Sequence, residues 1–169
     1  MIGMGRLFRH LCFPPWRLRR ALPPTALKAI TRAIRDSERR HGGEIRFAVE
    51  AALDLRRLVR GVSPRERALE VFSELRVWDT EANNGVLIYL LLADRDVEIV
   101  ADRGIDRRVG RDAWERICRA MESSFRKGEF EAGLLAGIEA VSEHLVLHFG
   151  GGDVEGNELP DQPAILKPP

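Results

Sequence analysis

The segment GVLIYLLLA, Gly85 to Ala93, constrains the fold of this chain more than any other. It lies between Asn83-Asn84 and Asp94-Arg95-Asp96. It has the length of a strand and falls well short of the roughly 20 apolar residues that cross a bilayer. Its positions do not alternate between apolar and polar, so both faces need cover. Such a strand belongs at the centre of a sheet, with helices above and below. A short polar turn, ADRD, leads to a second strand, Val97 to Ala101, and so short a connection makes the two an antiparallel hairpin.

The flanking sequence supplies the cover. Leu27, Ile30 and Ile34 form one face of a helix from Thr25 to about His41, which Gly42-Gly43 ends. Ile45, Phe47 and Val49 alternate with Arg46, Ala48 and Glu50, the pattern of a strand with one face buried. Residues 52 to 62 read as a connection. Ser63, Pro64 and Glu66 spell the start of a helix with a capping box, and Ala68, Val71, Phe72 and Leu75 are its stripe. Asp112 and Glu115 repeat the capping-box spacing ahead of Trp114, Ile117, Cys118, Met121 and Phe125. A last helix carries Leu134, Ile138, Val141 and Leu145. The expectation is an α/β fold, a three-layer α/β/α sandwich around a small mixed sheet that contains the hairpin. Residues 1–22 read as a basic arm, 23–149 as the domain, and 150–169, rich in Gly, Pro and acids, as a disordered tail.

Charge is unevenly spread. Eight of the 27 Lys and Arg precede Asp36, with no acid among them, and the remaining 19 face 26 acids. A basic arm on an acidic body can pack against that body. It can also touch an anionic membrane surface, helped by Leu7, Phe8, Leu11, Phe13 and Trp16. The acidic body argues against nucleic acid. Two cysteines make no disulfide framework, and no secretory signal is legible, so the expected compartment is the cytoplasm, with peripheral membrane contact through the arm.

The polar loop before the long strand carries the candidate chemistry. Asp79, Glu81 and Asn83 place oxygen ligands at alternate positions, but an EF-hand is excluded because its twelfth position would be Leu90. In a hairpin turning near Asp94, the loop's Asn84 lies level with the segment that holds Asp102 and Asp106. Asp79, Glu81, Asn83, Asn84, Asp102 and Asp106 therefore gather at one end of the sheet. Such a cluster either takes calcium or another hard divalent cation, or is relieved by Arg103, Arg107 and Arg108. Asn84-Gly85 must turn tightly into the strand, which a positive φ at Gly85 would explain. His144 and His148 are spaced for zinc but lack further ligands, and no motif places a hydrolase triad.

Several of these residues resemble the TPM domain family over about residues 25 to 148. Asn83-Asn84-Gly85 resembles the family's D-N-G, Asp94-Arg95 its strand turn, and Asp102 to Asp106, around Gly104, its G-Y-G-L-E. Phe125, Gly128, Phe130 and Gly133 resemble its F-R-x-G-x-[FY]-x-x-G. The founders include a thylakoid-lumen protein of photosystem repair described as an acid phosphatase. The resemblance implies an α/β/α sandwich with an acidic groove that binds calcium in some members. Asn83 removes a charge from the family pattern and Asp102 adds one. Because no nucleophile, general base or phosphate loop is legible, the expected function is an accessory module with an unknown protein partner and no efficient chemistry. The alternative is a metal-assisted acid phosphatase.

Overall fold

The computed structural model describes residues 3–151 and 156–167. Its sheet has four strands: β1 (Glu44–Glu50), β2 (Gly85–Leu91), β3 (Asp96–Ala101) and β4 (Ala164–Leu166). Their order is β3-β2-β1-β4, with β1 parallel to β2 and β4, and β3 antiparallel to β2. Eight helices are described: α1 (Met4–Leu11), α2 (Trp16–Ala21), α3 (Pro24–Glu38), α4 (Leu55–Val59), α5 (Pro64–Glu74), α6 (Arg103–Val109), α7 (Arg111–Arg126) and α8 (Phe130–Phe149). None is long and apolar enough to cross a membrane.

Every residue of β2 is buried, as its unbroken apolar run requires. Val86, Ile88 and Leu90 join the core beneath α3, α7 and α8, while Leu87, Tyr89 and Leu91 join a second core with Ala68 and Val71 of α5. The fold is therefore the expected α/β type, with helical layers on both faces of a mixed open sheet. The strand β1 is covered on both faces rather than one. Its outward Glu50 is held by Arg67 Nε at 2.9 Å and by the Tyr89 hydroxyl at 2.6 Å, all three side chains being buried. Burial and the neighbouring Glu50 charge push the Tyr89 phenol up.

Local sequence explains most of the helices. Ser63 and Glu66 form the capping box of α5. The turn between α7 and α8 needs Gly128, at φ 83°, and Phe125 stacks on Phe130 across it with centroids 5.2 Å apart. A Cβ at Gly133 would lie 2.9 Å from that of Ser124, so this glycine lets the two helices close. These contacts give the Phe-Gly-Phe-Gly pattern its physical meaning.

Three further expectations need correction. The tail is not without structure: β4 adds to the sheet edge, and Leu159 is buried in the second core. Residues 152–155 and 168–169 of that tail, like Met1 and Ile2 of the arm, lie outside the described residues. The start of α7 is capped at Gly110, φ 84°, with no side-chain cap, and Glu115 pairs with Arg111 at 2.6 Å instead. Gly85 is an ordinary strand residue, and the positive φ falls on Asn83, at 52°.

The arm lies against the body. Arg6, Arg9 and His10 converge on Asp94 in the hairpin turn, at 3.0, 2.6 and 3.0 Å. His10 Nδ1 accepts from the Leu53 amide, which leaves the proton on Nε2, the atom facing Asp94. Burial opposes ionisation of Asp94, but His10 and Arg6 outweigh it and hold its pKa down to about 2.

Candidate functional site

In register, Gly85 of β2 lies beside Glu44 of β1, and Val86 faces Ala101 of β3. The starts of β1 and β2 and the finish of β3 therefore share one end of the sheet. The loop from α5 crosses this end. The amide of Asn84 donates to Thr80 Oγ1 at 3.2 Å, and its side-chain nitrogen donates to the Gly42 carbonyl at 2.6 Å. Asp102 closes the opposite side. Its amide donates to the Gly85 carbonyl at 2.8 Å, and its carboxylate caps α6 by accepting from the Arg103 amide at 2.7 Å. Gly104 brings α6 against the loop, its amide donating to the Asn83 carbonyl at 2.9 Å.

The six proposed ligands divide into two kinds. Asn84 and Asp102 are buried, and each keeps one side-chain oxygen, Oδ1 and Oδ2 respectively, without a hydrogen-bond partner among the described residues. Asp79, Glu81, Asn83 and Asp106 are exposed. The Asp106 carboxylate accepts from Trp114 Nε1 at 3.0 Å, and the Glu81 amide donates to Glu158 Oε2 at 3.1 Å. Among the described residues, no group of three or more His, Cys, Asp or Glu is placed to hold a metal ion. A cation here would draw on amide and backbone oxygens as well as carboxylates.

Sequence reasoning missed the second half of this end. Glu38, Glu44 and Asp161 are buried beneath the C-terminal segment. Glu44 accepts from the amides of Glu158 and Leu159, at 3.1 and 3.0 Å. Asp161 accepts from Arg35 Nε at 3.0 Å, and Arg46 donates to the carbonyls of Pro160 and Gln162. Glu38 accepts from the Ile45 amide at 3.0 Å. Burial, reinforced by the charges of Glu44 and Asp161, raises the Glu38 pKa to about 8 against the pull of that amide. Nearby His41 is fully buried, and burial lowers its pKa to about 4. Glu44 and Arg46 in EIRFAVE were the available signal, but their partners in the C-terminal segment lie more than a hundred residues away.

The other expected features serve packing. His144 lies edge-on to Trp114, with ring centroids 5.5 Å apart. Burial pushes the Cys118 thiol up to about 12, far from a thiolate nucleophile.

Comparison with known proteins places this geometry. No functionally curated protein matches the chain. The solution structure of the BA42 protein from the psychrophilic bacterium Bizionia argentinensis is 33% identical, with a TM-score of 0.75 over 86% of this chain and 95% of that one. The N-terminal domain of a P. gingivalis protein shares the fold at 24% identity, with a TM-score of 0.59 over 77% of this chain and 82% of that one. The TPM domain signature matches residues 19–144, so the chain belongs to the TPM domain family.

Proposed function

We propose that the chain is a TPM-type accessory module. Its acid-rich sheet end takes calcium or another hard divalent cation and presents a cation-dependent surface to a protein partner, without efficient chemistry of its own. The supporting observation is the pair of buried oxygens, Asn84 Oδ1 and Asp102 Oδ2, that no donor among the described residues satisfies. A buried carboxylate oxygen without a partner costs stability, and a hard cation is the complement such oxygens lack. Asp79 and Glu81, on the exposed loop beside them, add negative charge.

Calcium titration followed by thermal unfolding tests the reading. Saturating calcium, at about a hundred times its dissociation constant, stabilises by ~2.7 kcal/mol, a rise in Tm of several degrees. Asp102→Asn, which keeps the helix cap but removes the charge, should lose most of that response. A wild-type Tm indifferent to millimolar calcium would overturn the proposal. Aryl-phosphate hydrolysis that appears with calcium and stops on exhaustive chelation would replace it with a metal-assisted phosphomonoesterase.

A further inference from the structure

The arm helix α1 is docked the wrong way round for an ordinary amphipathic helix. Arg6 and His10, one turn apart, face the body and bind Asp94. Met4, Phe8 and Leu11 share the opposite side of the helix and are 86%, 71% and 56% exposed. Trp16, which opens α2, is 55% exposed. A surface helix normally buries its apolar stripe. This one turns Arg6, His10 and a single apolar residue, Leu7, toward the body and leaves Met4, Phe8 and Leu11 outward.

A cleft lies beside it. Arg95, the neighbour of Asp94 in the hairpin turn, joins Arg17 and Arg20 of α2 around a space of about 420 Å³. Phe13, Trp16 and Phe130 are among its walls, and no acid among the described residues lines it. The Arg17 guanidinium lies 5.7 Å from the Phe13 ring and 5.9 Å from the Trp16 ring, which orients it. Among the described residues, no carboxylate pairs with Arg17, Arg20 or Arg95, whereas Asp94 alone draws two arginines of the arm, Arg6 and Arg9, together with His10. Arginines set among aromatic rings beside an exposed apolar stripe suit one surface, the phosphate layer of an anionic bilayer.

We infer that the arm is a membrane-docking face: Met4, Phe8, Leu11 and Trp16 enter the headgroup boundary while Arg17, Arg20 and Arg95 hold lipid phosphates in the cleft. The site lies a full strand length from Asn84 and Asp102 and does not depend on the cation reading.

The test is co-sedimentation of the full chain with phosphatidylcholine vesicles, with and without phosphatidylglycerol. The protein should pellet with the anionic vesicles, be released by high salt, and stay soluble with the neutral ones. Arg17→Ala/Arg20→Ala should weaken partitioning roughly fivefold for each arginine removed. Phe8→Ser/Leu11→Ser should weaken it by roughly tenfold or more, with an unchanged Tm because both side chains are exposed. Failure to pellet with anionic vesicles overturns the inference, as does pelleting that both variants retain. A vesicle-free dimer dispersed by Phe8→Ser/Leu11→Ser would assign the stripe to a second copy of the chain. Binding of soluble glycerol phosphate without vesicle binding would reduce the cleft to a small-anion site. Either of these two outcomes also overturns the inference.

Discussion

A methyl group added at Gly85 would lie 2.0 Å from the Val77 carbonyl oxygen, where no side chain fits. The glycine is required because the loop backbone crosses directly over the first residue of β2, not because φ is positive there. Gly104 meets the same constraint, its absent Cβ lying 2.4 Å from the Asn83 carbonyl oxygen. The left-handed position is Asn83, a residue type that tolerates αL through its short polar side chain. Aspartate tolerates it for the same reason. Gly85→Ala should thus destabilise by ~1–3 kcal/mol through overpacking, while Asn83→Asp stays within about 0.5 kcal/mol of wild type. Urea unfolding checks both. A wild-type midpoint for Gly85→Ala would mean that Val77 does not cross so closely.

At the scale of elements, the C-terminal segment behaves as part of the domain. Leu159 is buried, β4 pairs with β1 from Ala48 to Glu50, and the amides of Glu158 and Leu159 satisfy Glu44. Ending the chain after Gly151 should cost at least ~2 kcal/mol, since burial of one leucine alone is worth about that much. Differential scanning calorimetry should show a lower Tm; an unchanged Tm would return the segment to the status of a free tail. This segment also marks the limit of what the sequence reveals. The strand β2 is legible because nine consecutive apolar residues leave it one environment, and α5 because Ser63, Pro64 and Glu66 announce its start. By contrast, Ala164 to Leu166 is three residues among prolines, and only β1, far away in sequence, makes it a strand. The helix α6 was equally hidden. RGIDRRV has no apolar stripe and rests on the Asp102 cap and the single buried Ile105. The candidate site shared this divide: the loop ligands are local, but the Glu38, Glu44 and Asp161 grouping needs a tail whose path no local pattern records.

Over the whole molecule, buried ionisable groups make stability depend on pH in opposing ways. Glu38, with a pKa of about 8 in the fold against 4.5 ordinarily, holds a proton that the unfolded chain has released between those values. Its contribution is complete below pH 4.5 and is lost as pH rises to 8. Burial also raises Asp96, to about 7, so its contribution fades with rising pH in the same sense, from about 3.8 to 7. His41 acts in reverse: the unfolded chain takes up its proton below 6.5, the fold only near 4, and stability falls as pH drops through that window. Above pH 7, of these three groups, Glu38 alone still titrates. The groups around it are Glu44, Asp161, Arg35 and Arg46, together with His41, which is neutral at that pH. Glu38→Gln imitates the protonated side chain, keeping an acceptor for the Ile45 amide and offering an amide to Asp161. The variant's advantage over wild type should be small at pH 5 and grow by roughly 3 kcal/mol between pH 5 and pH 8. Urea unfolding at both values, on the same full chain, decides the matter. Parallel pH profiles for the two proteins would show that Glu38 is ionised in the fold, and that Arg35 and Arg46 neutralise this end of the sheet without help from a shared proton.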